Sequence, residues 1–202
     1  MNAETTIRTY DQSAAALAEY FRGIGPRTDD IARALELAGT PTGAAVVEIG
    51  CGDGRDAAEL LPRVASYEGY DPSEKMLELA RAKLPGARFA KADALTYEYP
   101  RNTDVVLAFA SLLHVSRNDM PAAFARIEKS LRPGGIAYIS VKERENYAEE
   151  IKKDDHGERM FYLYPAALIK ELAGTGFETA YEDRQRKGST DWLTIAFRKL
   201  PG

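Results

Sequence analysis

From Asp11 to Leu37 the apolar positions follow a helical period: Leu17, Tyr20, Phe21 and Ile24 recur at that spacing, and Ile31, Leu35 and Leu37 continue it after a break at GIGP (23–26). Two amphipathic helices are therefore predicted ahead of the core. TPTG (40–43) is a loop leading into a strand, AVVEI. Arg55 to Leu61 suits a helix that Pro62 ends or bends. The period then switches again, with YEGYD (67–71) as a strand and PSEKMLELARAKL as a helix opened by Pro72 and Ser73. ARFAKAD (87–93) and DVVLAFA (104–110) read as strands, AAFARIEKSL (122–131) as a helix, RPGG as a turn and IAYISVKE (136–143) as a further strand.

Alternation of strand and helix implies an α/β fold with a parallel sheet covered on both faces. The chain then turns polar through ERENYAEEIKKDDHGE before MFYLY, a helix at 165–173 and the AGTG turn. FETAYED and WLTIAFRK, joined by RQRKGST with its Gly188, predict an antiparallel hairpin, so the sheet finishes mixed.

Composition narrows the class. A chain of 202 residues, 45% hydrophobic and 29% charged, suits one folded domain spanning 1–202. A net charge of −4 argues against a dedicated nucleic-acid binder, which carries a basic face, and leaves small solutes or proteins as partners. Cys51 is the only cysteine, which removes an internal disulfide and an all-cysteine metal site and points to the cytoplasm. The start, MNAETTIRTYDQ, lacks the basic and apolar regions of a secretion signal, and VVLAFASLLHV (105–115) falls short of the ~20 apolar residues of a membrane helix.

The chemistry gathers at VVEIGCGDG (46–54). A glycine-rich turn between a strand and a helix, at the start of an alternating sheet, suggests a nucleotide-type ligand at the carboxyl ends of the strands. The dinucleotide fingerprint G-x-G-x-x-G matches at Gly50 and Gly52, but Arg55 holds its third position. The extra glycine is Gly54. Glu48-x-Gly50-x-Gly52-x-Gly54, followed by Asp71 at the end of the next strand, Asp93 in KADAL, FASLLHV and LRPGGIAYIS, resembles the class I S-adenosylmethionine-dependent methyltransferases over roughly residues 40–145.

That resemblance implies a Rossmann-like, doubly wound sheet of seven strands in the order 3-2-1-4-5-7-6, with the seventh antiparallel. It implies residues 40–145 as the cofactor-binding core, residues 1–37 as N-terminal lid helices and residues 146–202 as an acceptor-side segment with a terminal hairpin. S-adenosylmethionine, with S-adenosylhomocysteine as product, is the implied cofactor. The residues implied to surround it are Glu48, Gly50, Cys51, Gly52, Gly54, Asp71, Pro72, Met76, Asp93, Ala94, Phe109 and Ala110. The assignments have a physical sense. Glycines let backbone approach the ribose and amino-acid portion, Asp71 can accept both ribose hydroxyls, Asp93 can accept from the adenine amine, and Met76 can pack on the ring. Cys51 is a small residue filling a tight place.

Methyl transfer from a sulfonium needs mainly positioning and dryness, with a general base where the acceptor must lose a proton. Of two histidines, His114 follows the fourth strand and His156 lies in the charged run KKDDHGER, which reads as solvated. His114 is the candidate base, with an ordinary pKa near about 6.5, and the alternative is a histidine hydrogen-bonded beneath the loop. Tyr10, Tyr20, Phe21 and Tyr162 are candidates to wall the acceptor, the alternative being that such rings complete the core. RQRK (184–187) reads as a solvated face before an acid-binding one. No HxxE, HExxH or carboxylate pair supports a metal, and none is expected. The function expected is methyl transfer to a small molecule; a non-catalytic sensor of the same cofactor and a nicotinamide oxidoreductase are the rivals.

Overall fold

In the computed structural model, which describes residues 3–202, three helices come first: α1 (Ala3–Gln12), α2 (Ala14–Ile24) and α3 (Thr28–Leu37). Strand and helix then alternate through β1 (Ala44–Ile49), a single turn α4 (Ala57–Leu60), β2 (Val64–Asp71), α5 (Glu74–Lys83), β3 (Arg88–Lys91) and β4 (Thr103–Phe109). A 3-10 turn (Leu112–His114), α6 (Met120–Ser130) and β5 (Leu131–Lys142) follow. A first hairpin, β6 (Ala148–Asp154) and β7 (Gly157–Leu163), precedes α7 (Ala166–Ala173), and a second, β8 (Phe177–Lys187) and β9 (Thr190–Lys199), closes the chain.

Seven strands form one sheet, β3-β2-β1-β4-β5-β9-β8. β1 pairs in parallel with β2 and β4, β2 with β3, and β4 with β5, while β9 runs antiparallel to both β5 and β8. Counting only sheet strands, this is the expected order 3-2-1-4-5-7-6. Successive side chains of the central strands enter opposite layers. Val47, Ile49, Val106 and Ile139 pack with Phe124, Ile127 and Ile169 of α6 and α7 on one face. Val46, Val105, Leu107 and Tyr138 pack with Ile31, Leu35 and Leu77 of α3 and α5 on the other. No described helix is long and apolar enough to cross a membrane.

Three expectations change. The N-terminal region holds three helices, and the buried stripe of α2 is Ala14, Leu17 and Ala18 with Phe21, so that Tyr20 and Ile24 stand outside it. Small alanines carry the inward face, which a search for bulky residues overlooks. Next, α3 is part of the core, because Ile31, Ala34 and Leu35 are fully covered against the sheet, so the lid expected over residues 1–37 narrows to α1 and α2. Last, the polar run 143–158 is half of the unforeseen hairpin β6–β7, and the loop of the second hairpin shrinks from RQRKGST to the two residues between Lys187 and Thr190.

The first hairpin is fastened to α1. Thr9 donates its hydroxyl to the carbonyl of Glu158 at 2.7 Å, Ser13 donates to that of His156 at 2.7 Å, and Met160 N–H donates to Thr6 Oγ1 at 3.0 Å. α1 is also tied to the core: Asp11 accepts from Ser73 Oγ at 2.7 Å and from Lys75 N–H at 3.1 Å, adding an acceptor at the first turn of α5. Removing residues 1–24 should therefore leave the sheet with its helices α3 and α5 while lowering turnover by at least about 10²-fold, the order of loss when a reacting group is misplaced by an ångström. Circular dichroism and turnover of the truncated protein check this, and normal turnover would refute the lid. Removal through residue 37 should unfold the protein as well, since it strips one layer of the core.

Candidate functional site

At the carboxyl ends of β1, β2 and β4 lies a cavity of about 430 Å³, within the roughly 300–1,000 Å³ usual for small-molecule sites. Its floor is the loop after β1. Gly50 and Cys51 donate their N–H groups to the carbonyl of Tyr70 on β2, at 2.7 and 3.1 Å, so the loop leaves the strand with a sharp turn. Gly50 has φ +78°, and a Cβ there would lie 2.3 Å from Ser111 Cβ. Nothing lies within 4 Å of the place a Cβ on Gly52 would take. The first glycine is thus required by the neighbouring β4 loop, and the second leaves room for a ligand.

Asp71 ties the loop to β2: Oδ2 accepts from Gly52 N–H and Oδ1 from Ser73 N–H, each at 2.9 Å. Burial raises its pKa to about 6, partly offset by those two N–H groups. Each oxygen keeps a lone pair for a ligand. Asp93, in the loop after β3, accepts from Leu95 N–H at 2.7 Å and also lines the cavity, as do Pro72, Met76, Ala94, Phe109 and Ala110. Ala110 is held at φ +52°, a strained conformation for a residue with a side chain, at the point where β4 hands over to the cavity wall. Beside it Ser111 Oγ is buried with no hydrogen-bond partner among the described residues.

Glu48 departs from its expected place. Alternation along β1 sends Ile49 into the cavity wall and Glu48 to the other face, where it is 2% exposed and accepts from Tyr67 Oη at 2.5 Å. Burial, with Asp56 adding to it, raises its pKa well above the usual carboxylate range. It supports the loop from beneath and does not line the cavity. Cys51 lines it with its thiol covered, and burial raises that thiol's pKa too. Gly54 is not among the lining residues and instead packs toward Phe89 and Ala80.

The other end of the cavity is closed by α1 and the first hairpin. Tyr10, Phe21, His114 and Tyr162 line it, whereas Tyr20 is 59% exposed and turned toward Phe21 and His156. Residues that sequence reasoning missed also contribute, namely Thr6, Ile7, Ser116 and Asp119, together with Asp11, which anchors the lid from outside the cavity. Their signal was a tertiary one, since α1 meets the site through its hydrogen bonds to the first hairpin and to the start of α5.

His114 Nδ1 lies 2.6 Å from the carbonyl oxygen of Met160. A carbonyl only accepts, so Nδ1 carries the ring proton and Nε2 its lone pair. Tyr10 Oη, 3.0 Å away, donates to that lone pair. Burial lowers the histidine's pKa to about 4 despite the Met160 hydrogen bond, and Arg159 and Lys142 push the same way. Burial likewise raises the pKa of Tyr10. The inflection expected near that of an ordinary histidine is therefore displaced. At saturating substrates, kcat should carry no step attributable to His114 between about pH 5 and 8, and a step there that vanishes in His114→Gln would refute this. Among the described residues no group of three or more His, Cys, Asp and Glu side chains is placed to hold a metal.

The chain is similar to known proteins. A family described as "Methyltransferase domain" matches residues 46–135. The chain is 33% identical over 126 residues to trans-aconitate 2-methyltransferase of Acidovorax ebreus, a match covering 61% of this chain and 48% of that protein. It is 30% identical over 182 residues to the protein of the same name from Methylobacterium nodulans, covering 89% of this chain and 67% of the relative. Its match to the first of these thus spans about half of the relative's length. Among solved structures, the 1,6-didemethyltoxoflavin-N1-methyltransferase of Burkholderia thailandensis superposes with a TM-score of 0.72 at 20% identity, covering 96% of this chain and 88% of that one, and so shares the fold.

Proposed function

This chain belongs to the class I S-adenosylmethionine-dependent methyltransferases, and we propose that it transfers a methyl group to a small-molecule acceptor, mainly by positioning the reactants. The observation that carries the reading is one continuous cavity running from the glycine loop and its two acids to Tyr10 and His114 under the α1 lid.

The residues present suit the donor. Asp71 has lone pairs for a ribose diol, Asp93 for an exocyclic amine, and Met76 and Leu95 offer apolar surface for a ring. Ser111 Oγ needs a partner and stands beside the loop that would face the amino-acid portion. Bound there, S-adenosylmethionine supplies an electrophilic methyl on a very good leaving group, so that the acceptor's lone pair bonds to carbon as the carbon–sulfur pair returns to sulfur. Loop, lid and hairpin hold the two reactants in line and keep water out, a contribution worth ~7–11 kcal/mol when the geometry is right. Neutral His114 fixes the hydroxyl of Tyr10 and thereby one wall of the acceptor end. This assigns His114 a positioning role ahead of a general-base one.

The domain reading becomes one unit with α1 and α2 as lid, β1 through β5 as donor core, and the segment from β6 onward supplying the acceptor side. The cytoplasm suits the reduced thiol of Cys51. The nicotinamide reading loses its ground with the family, and a sensor is separated from an enzyme by one assay: incorporation of labelled methyl from S-adenosylmethionine across a metabolite panel. Binding of the donor with no incorporation anywhere would favour the sensor.

A further inference from the structure

One buried residue joins the lid to the acid of the donor end. Ser73, fully covered, caps α5 by accepting from Met76 N–H at 3.2 Å. Its own N–H donates to Asp71 Oδ1 at 2.9 Å, and its hydroxyl donates to Asp11 Oδ1 at 2.7 Å. The same oxygen of Asp11 accepts from Lys75 N–H at 3.1 Å. Two carboxylates, one on α1 and one in the cavity, are thus held by a single small residue whose hydroxyl and N–H are both committed.

The next residue along α1 makes the tie to the other end. Tyr10 Oη lies 3.0 Å from His114 Nε2, and one turn earlier Thr6 Oγ1 accepts from Met160 N–H of the first hairpin. Neighbouring positions of one helix therefore reach opposite ends of the cavity, and the seat of Asp11 at Ser73 fixes where Tyr10 stands. That seat responds to the donor. After burial, the charge of Asp11 is what pushes the pKa of Asp71 upward, so while Asp71 is ionised the two acids repel and work against α1 in its place. Two ribose hydroxyls donating to Asp71 spread its charge and weaken that repulsion, so the seated helix is favoured more with the donor bound than without it. By reciprocity the seated helix holds the donor more tightly.

We propose that Asp11 is a positioning residue that couples the two ends of the site: through Ser73 it seats α1 in response to occupancy at Asp71, and through Tyr10 that seat completes the acceptor end. The donor binds first and the acceptor second. The inference rests on the methyltransferase reading, and the test separates the two. Amide hydrogen exchange with and without S-adenosylhomocysteine, and biosensor rates for that ligand, are measured on the whole chain. In the wild type the ligand should slow exchange along α1 and at the Met160 amide, although Met160 does not line the cavity. In Asp11→Ala that protection should be lost at Met160, and S-adenosylhomocysteine should leave about tenfold faster with its association rate unchanged, the order of one hydrogen bond to a charged group. Asp11→Asn keeps an oxygen that accepts from Ser73 and Lys75, so its release rate should stay within about threefold of wild type. The proposal is overturned by a wild-type Met160 amide that ignores the ligand, or by an Asp11→Ala protein that releases it at the wild-type rate, even one that melts lower. Equal losses in Asp11→Asn and Asp11→Ala would overturn it too. Failure of the wild type to bind S-adenosylhomocysteine would instead overturn the methyltransferase reading.

Discussion

Asp71→Ala is expected to weaken S-adenosylmethionine and S-adenosylhomocysteine binding by about 10²-fold or more. Two hydrogen bonds from a ribose diol to a carboxylate amount to roughly 1.5–3 kcal/mol each before water compensates. The substitution also strands the N–H groups of Gly52 and Ser73, which Asp71 accepts at 2.9 Å, and so loosens the loop itself. Calorimetry with both ligands and with NAD checks it. Equal affinity in wild type and variant, or preferential binding of NAD, would remove the basis of the assignment. The same carboxyl sets a pH dependence. Its folded pKa of about 6 lies above the ordinary value, so donor affinity, which uses the ionised form, should fall as pH drops through about 6. For stability the sign is reversed. The folded state holds a proton that the unfolded chain has lost, so Asp71 lowers stability as pH rises from the ordinary carboxylate range toward about 6. His114, with its pKa lowered to about 4, acts oppositely: its contribution is present above the ordinary histidine range and is lost as pH falls toward about 4. The two slopes oppose each other between about pH 4 and 6, and Asp71→Asn should expose a steeper loss of stability on acidification than wild type shows.

Gly50→Ala should damage the fold as well as the site. An alanine at φ +78° costs roughly 1–2 kcal/mol in backbone strain. Its Cβ would then stand 2.3 Å from Ser111 Cβ, and overpacking of that kind costs about 1–3 kcal/mol more. At about 2–4 °C per kcal/mol for a chain of this size, Tm should fall by roughly 5–20 °C. Pairing Gly50→Ala with Ser111→Gly removes the clash and leaves the strain, so the double variant should recover part of the loss, a coupling that thermal melts of all four proteins measure. A Gly50→Ala protein that melts with the wild type would show that the loop is not confined as described.

The donor end of the site is legible in the sequence because its parts are local. One strand, one turn and the acid ending the next strand carry Gly50, Gly52 and Asp71, and parallel pairing of β1 with β2 brings them together. Glu48 sits in the same motif yet serves beneath it, since neighbouring residues of a strand face opposite ways. The acceptor end is less legible because its causes lie far apart in the chain. The run of charges at Glu149, Glu150, Lys152 and Lys153 hides β6, whose partner β7 is half covered by a helix about 150 residues earlier. Tyr20 and Phe21 are adjacent in sequence and equally aromatic, and only the alanine stripe of α2 decides that Phe21 turns inward. The pKa of His114 is set first by its burial and then by Met160, Arg159 and Lys142, none of which its sequence neighbours announce.

The clasp between α1 and the first hairpin also has a meaning in time. A ribosome makes the chain from its amino end, so α1 emerges about 150 residues before the carbonyls of His156 and Glu158, which accept from Ser13 and Thr9, and the N–H of Met160, which donates to Thr6. At about 5–20 residues per second, α1 waits roughly 8–30 s for those partners. During that interval the donor core, whose strands β1 to β5 are all made by residue 142, can assemble with its ligand end uncovered. The nascent protein thus acquires a place for the donor before it acquires a roof over the acceptor end.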